Sequence, residues 1–137
     1  MQIVNKIFLA ISIIILFGCG SSSNKESDSK LVGSWLLTHP NECQETTTYN
    51  ANGTWTNIAL DEIQTGSYVF TDLPSSDRYS LNITVQADNG LADCDGDSEL
   101  DTGLSLEVFL SFPTESSMEL YLFQNDTTPF YSFTKQQ

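Results

Sequence analysis

Residues 78–87 read RYSLNITVQA and residues 104–112 read LSLEVFLSF, and in both stretches apolar side chains recur at every second position. Tyr79, Leu81, Ile83, Val85 and Ala87 share one face of an extended chain, while Arg78, Ser80, Asn82, Thr84 and Gln86 share the other. Leu104, Leu106, Val108, Leu110 and Phe112 likewise alternate with Ser105, Glu107, Phe109 and Ser111. A period of two is strand geometry, and apolarity on one face suits an antiparallel strand resting on a core. Shorter stretches of the same kind lie at 31–38 (LVGSWLLT), 45–51 (ETTTYNA), 54–60 (TWTNIAL), 66–71 (GSYVFT), 117–123 (SMELYLF) and 128–134 (TTPFYSF). Between them stand turn-forming clusters: Asn52-Gly53, Leu73-Pro74-Ser75-Ser76-Asp77, Pro113-Thr114-Glu115-Ser116 and Asn125-Asp126. Asn-Gly is a two-residue hairpin signature, and short connections make sequential strands pair as neighbours. The pattern predicts an all-β fold, an eight-stranded antiparallel up-and-down meander closing into a barrel, since closure removes exposed edges. A two-layer sandwich or a partly open barrel is the alternative.

The N-terminus is built differently. Lys6 precedes an apolar run, Ile7 to Phe17, broken only by Ser12. At about 11 residues the run falls short of the ~20 that a spanning helix needs, and its order of charge, apolar core and small residues is that of a signal peptide. The segment Leu16-Phe17-Gly18-Cys19 resembles the lipobox of bacterial lipoprotein precursors. That resemblance implies cleavage after Gly18, diacylglyceryl on the Cys19 sulfur and acylation of the new amine by a palmitate-like chain. Several acyl chains, at ~0.8 kcal/mol per buried methylene, hold a small protein firmly on a membrane. Gly20 rather than Asp after the cysteine resembles an outer-membrane rather than an inner-membrane address. The expected division is therefore 1–18 lipoprotein signal peptide with its helix, 19–30 lipidated cysteine and flexible tether, and 31–137 the β-barrel domain. Residues 20–30 carry no apolar side chain, as a tether should.

Eighteen acidic residues stand against five basic ones, a net charge of −13. Such a field repels nucleic acid and anionic headgroups, so the expected partners exclude nucleic acid, attachment falls to the acyl chains, and the chain is expected to be a monomer. With Cys19 lipidated, Cys43 and Cys94 remain in a compartment that permits disulfides and are expected to pair, with two free thiols as the alternative.

Gly33-Ser34-Trp35 after Leu31-Val32, then Tyr49-Asn50-Ala51-Asn52-Gly53-Thr54-Trp55 and Gly66-Ser67-Tyr68, resemble the lipocalin-like domains of small bacterial lipoproteins over roughly residues 31–135. The resemblance implies that Trp35 lies across the closed base of the barrel, with Lys135 in the place of the basic residue that packs on it. Plain core packing of Trp35 is compatible with that role.

The most unusual stretch is DNGLADCDGDSELDTG, residues 88–103, with Asp93, Asp95, Asp97, Glu99 and Asp101 at every second position. Dense carboxylates beside Gly96 are what calcium requires, so these five residues are the candidate metal ligands. The spacing does not fit an EF-hand, and a solvated acidic loop is the competing reading. His39, the single histidine, is expected in an exposed loop, and no nucleophile motif accompanies it. No catalytic residues are expected, and an uncharacterised hydrolase is the remote alternative. Trp55, Tyr68, Phe70, Phe130, Tyr131 and Phe133 could line a cavity or fill the core, whereas Tyr121 and Phe123 are expected on the outer face. The expected function is a membrane-anchored envelope lipoprotein whose barrel binds a small apolar or amphiphilic ligand at its open end. The alternative is a structural or protein-interaction module with a filled barrel.

Overall fold

One-sided alternation should turn into strands that pair in sequence, and it does. The computed structural model describes residues 29–137; the expected signal peptide, Cys19 and the expected tether to residue 28 lie outside the described residues. Eight strands follow: β1 (Gly33–Thr38), β2 (Gln44–Tyr49), β3 (Thr54–Ala59), β4 (Glu62–Asp72), β5 (Tyr79–Asp88), β6 (Ser105–Thr114), β7 (Ser117–Tyr121) and β8 (Tyr131–Lys135). Each pairs antiparallel with the next, and β8 returns to β1 to close the barrel. Closure rests on the register Trp35↔Lys135 and Leu36↔Thr134.

The barrel has two ends. At the tether end the chain enters ahead of β1, β8 finishes, and short connections join β2 to β3, β4 to β5 and β6 to β7. The mouth end carries the β1–β2, β3–β4 and β7–β8 connections and the long 89–104 loop between β5 and β6. A core of large side chains fills the barrel, with Leu31, Trp35, Leu81 and Leu110 fully buried and Trp55, Phe70, Val108, Met118 and Phe133 nearly so. The interior aromatics pack on one another: Phe70 stacks on Tyr79 at 5.0 Å between centroids, and Phe112 meets Trp35 at 5.8 Å. Tyr121 lies on the outer face, as its alternation predicts, but the Arg78 guanidinium covers its ring. Phe123 is 70% exposed.

Three details depart from the sequence pattern. β4 begins at Glu62, four residues earlier than the apolar pattern shows, because its inward positions there are the polar Glu62 and Gln64. A bulge at Thr65/Gly66 leaves Thr65 opposite Ala87 and Gly66 opposite Val85. The extra residue reverses the alternation, turning Ala87 outward and bringing Asp88 opposite Gln64. A Cβ on Gly66 would lie 1.9 Å from the Thr84 carbonyl oxygen, so only glycine fits this crossing. The β2–β3 connection, finally, is longer than a two-residue hairpin, with Asn50 N–H donating to the Thr54 carbonyl across it.

Cys43 and Cys94 form a disulfide, Cα atoms 5.6 Å apart, that ties the 89–104 loop to the β1–β2 connection. Closing a 51-residue separation removes unfolded-state entropy worth about 4 kcal/mol. The double variant Cys43→Ser/Cys94→Ser should lose about that much in a guanidinium titration; a loss below ~1 kcal/mol would mean that the barrel holds the loop without the link.

Candidate functional site

At the mouth end the interior changes character. Below it the core is aromatic and aliphatic; here the inward positions of β2, β3 and β4 supply Glu45, Thr47, Asn57, Glu62 and Gln64. Buried polar groups must be paired, and these are. The Thr47 hydroxyl donates to Asn57 Oδ1 at 2.8 Å, and His39 Nε2 lies 2.9 Å from Glu45 Oε2. His39 is thus buried rather than exposed, since Glu45 and the Tyr131 ring, 5.9 Å away, enclose it. Its Nδ1 faces Asp95 at 4.0 Å.

The 89–104 loop crosses this mouth. Asn41 Nδ2 donates to the Cys94 carbonyl at 2.7 Å, Asp61 N–H to the Ala92 carbonyl at 3.3 Å, and Gly103 N–H to the Val85 carbonyl at 2.9 Å. The acids of the candidate calcium set do not converge within it. Asp93 Oδ1 accepts the backbone N–H groups of Asp95 and Asp97, and Asp97 Oδ1 accepts that of Glu99, so Asp93 and Asp97 cap their own loop. Asp101 goes elsewhere. Its Oδ2 accepts from Gln64 Nε2 at 2.9 Å, and the same amide reaches Asp88 Oδ2 at 3.0 Å and Glu62 Oε1 at 3.3 Å. Oxygens of Glu62, Asp88 and Asp101 lie within 4.8 Å of one another, the one group of three or more potential ligands among the described residues. With Glu62 ionised, these are the residues that could present three carboxylates to a hard divalent cation.

Three carboxylates around one amide cannot all carry charge cheaply. Asp88 is held below its usual range by the Gly90 amide first, then by the Asp101 amide and Gln64. Glu62, 7% exposed, is pushed from 4.5 up to about 7 by burial, with Asp88, Asp93, Asp101 and Glu45 adding to the rise. Glu62 does not stand out in the sequence, and Asp88, though it opens the 88–103 stretch, is not among the candidate ligands there, because the bulge that turns it inward has no apolar signature.

The tether end is the second candidate site. Lys135 Nζ lies 5.1 Å from the Trp35 ring centroid, and Trp35 Nε1 donates to the Leu31 carbonyl at 2.8 Å. Gly33, at φ +130°, makes room for this: a Cβ there would come within 3.0 Å of Lys135 Cε. A pocket of about 670 Å³ opens beside them, walled by Ser29, Lys30, Phe112, Thr114, Glu115 and Lys135. Lys30 Nζ donates to the Tyr79 hydroxyl at 2.8 Å at its rim. Sequence reading finds Lys135 through the Gly33-Ser34-Trp35 motif, but misses Lys30 and Phe112, which only closure brings beside it.

No family model matches the chain, and no curated protein is similar to it.

Glu62 holds a proton in the folded barrel between pH 4.5 and about 7 that the unfolded chain has lost. Its raised affinity therefore stabilises the fold fully below 4.5, and that contribution fades as pH rises through 7. Glu62→Gln should gain about 1–2 kcal/mol over the natural chain at pH 8 and nothing at pH 4, read from urea midpoints, a range discounted for residual water at the site. Equal midpoint differences at both pH values would mean that Glu62 titrates normally.

Proposed function

We propose that the chain is a lipid-anchored envelope protein, acylated at Cys19 and held at the outer membrane, whose barrel binds a small amphiphilic ligand without catalysis. The observation that carries this reading is the tether-end pocket. Its volume of about 670 Å³ falls within the ~300–1,000 Å³ of small-ligand sites, and it combines an aromatic wall, Phe112, with polar groups at its rim. This supports a ligand at the base of the barrel rather than at the mouth, where the 89–104 loop crosses a paired polar interior.

A second reading, an envelope module that binds another protein, draws support from the mouth end. Leu60, Leu91, Leu100 and Phe130 are all more than half exposed there, on connections away from the tether. Scattered exposed apolar residues are ordinary, whereas a contiguous patch marks an interface.

A fluorescent fatty-acid analogue titrated into the mature chain distinguishes the two. Binding should saturate with one site, weaken about fivefold or more in Phe112→Ala through lost apolar contact, and be unchanged in Glu62→Gln. Loss in Glu62→Gln alone would move the site to the mouth. Absence of any binding would leave the protein-interaction reading.

A further inference from the structure

At the mouth end, the outer face of the barrel carries apolar side chains that the fold brings together. Ile58 and Ile63 stand opposite one another on the outward positions of β3 and β4. Asn89 joins the 89–104 loop to the same place. Its N–H donates to the Ile63 carbonyl at 3.2 Å, and its Oδ1 accepts the N–H groups of Ile63 and Leu91, each at 3.1 Å. Leu100 then reaches back over Gly90, where a Cβ would come within 3.0 Å of Leu100 Cδ2. Leu60 completes the set from the two-residue turn between Ala59 and Glu62. These five side chains are each between 46% and 68% exposed, and the bonds through Asn89 and the packing at Gly90 make them one patch.

Leu60 sits in its turn against local preference. Its φ of 56° lies in the left-handed region, where a two-residue hairpin turn ordinarily takes Gly, Asn or Asp. A leucine there favours neither the turn nor the core, whose large side chains are elsewhere.

The rim of the patch decides what can cover it. Asp61 adjoins Leu60, Glu99 and Asp101 flank Leu100, and Asp88 and Asp93 stand three residues before and two after Leu91. None of these five acids has an ion pair among the described residues, where the pairs within 4.0 Å join His39 to Glu45 and Asp95, and Arg78 to Asp77. The chain has no Lys or Arg between Lys30 and Arg78 or between Arg78 and Lys135, so neither patch segment supplies a cation. A second copy docked symmetrically would set the same acids against one another, and an anionic membrane would meet the same repulsion. A protein segment with apolar side chains between Lys or Arg residues fits both parts, its bases meeting the rim as its apolar groups cover the centre.

We propose that Ile58, Leu60, Ile63, Leu91 and Leu100 form a docking surface for a segment of another protein that presents apolar side chains flanked by Lys or Arg. This is independent of the tether-end pocket. It rests on the protein-interaction reading above and gives the partner its chemistry.

Photocrosslinking in the cells that make the chain tests it. p-Benzoylphenylalanine replaces Leu60 or Leu100 in the full chain, one at a time, and as a control it replaces Val69, exposed in the tether half of β4. Both patch positions should give a protein adduct at least about fivefold more abundant than Val69 does. The partner peptide in it, sequenced by mass spectrometry, should hold more Lys and Arg than Asp and Glu. Asp61→Asn/Glu99→Gln should lower the adduct about fivefold, the effect of two exposed charge pairs. Both carboxylates are exposed, so that variant keeps the fold. A partner peptide without an excess of bases, or an adduct unmoved by Asp61→Asn/Glu99→Gln, overturns the assigned partner chemistry and leaves the protein-interaction reading standing. An adduct of the chain with itself would make the patch a contact between copies, and a lipid adduct would make it a membrane surface; either overturns the proposal. Patch adducts no more abundant than those at Val69 overturn the docking surface and, with it, the protein-interaction reading.

Discussion

The pairing of β8 with β1 is the contact on which the rest of the structure depends. It is narrow, with Trp35 opposite Lys135 and Leu36 opposite Thr134, and the Gln136 N–H donating to the Ser34 carbonyl beyond them. Without it the sheet would have two free edges, and the base of the barrel would be open to water. Trp35 sits in this seam with no exposure at all, and through its indole N–H it also fixes Leu31, the first buried residue among those described. Closure, the plug at the base and the placement of Leu31 ahead of β1 are therefore set by the same few residues. Gly33 is part of that set, because its missing side chain leaves the space that the Lys135 stem fills.

A barrel of eight strands encloses about as much volume as its own side chains fill, so its content is a matter of which side chains point inward. Here the content is graded. Aromatic rings fill the tether half, and a hydrogen-bonded polar layer fills the mouth half. The polar layer is tolerable only because each group has a partner, and part of that partnering comes from outside the barrel wall, from Asp101 of the 89–104 loop. The loop in turn is retained by the Cys43–Cys94 disulfide and by backbone bonds to the β3–β4 and β5 segments. The polar interior and the loop thus need each other: one would be left unpaired, the other unanchored.

The division between what the sequence reveals and what it hides follows from this grading. All eight strands are visible as alternation, because most inward positions are apolar and most outward ones polar; the barrel is legible for that reason. The start of β4 is not, since Glu62 and Gln64 point inward and invert the pattern. Asp88 enters the interior only through the bulge at Gly66, a one-residue event with no compositional mark beyond a glycine. Counting carboxylates in the 88–103 stretch draws attention to the right loop but groups Asp101 with Asp93, Asp95, Asp97 and Glu99, whereas folding groups it with Glu62 and Asp88. His39 is judged exposed because it precedes a proline, and is buried because Glu45 comes to face it across the adjoining β1–β2 ladder.

A net charge summarises a chain as though it were a point, and a barrel is not one. β5 has ten residues, so at about 3.3 Å each, less the tilt of the strands, the two ends lie some 25 Å apart. That is about three screening lengths at physiological salt. A charge at the tether end therefore responds mainly to Lys30, Arg78, Lys135 and the acids Asp72, Asp77 and Glu115 of the same end, and hardly to the carboxylates of the mouth. The same screening lets the mouth end carry most of the acidity without hindering a surface at the base. Folding separates charges that the linear sequence interleaves: the three bases of the described residues all fall at the tether end, where Asp72, Asp77 and Glu115 offset them, while the mouth carries acids alone.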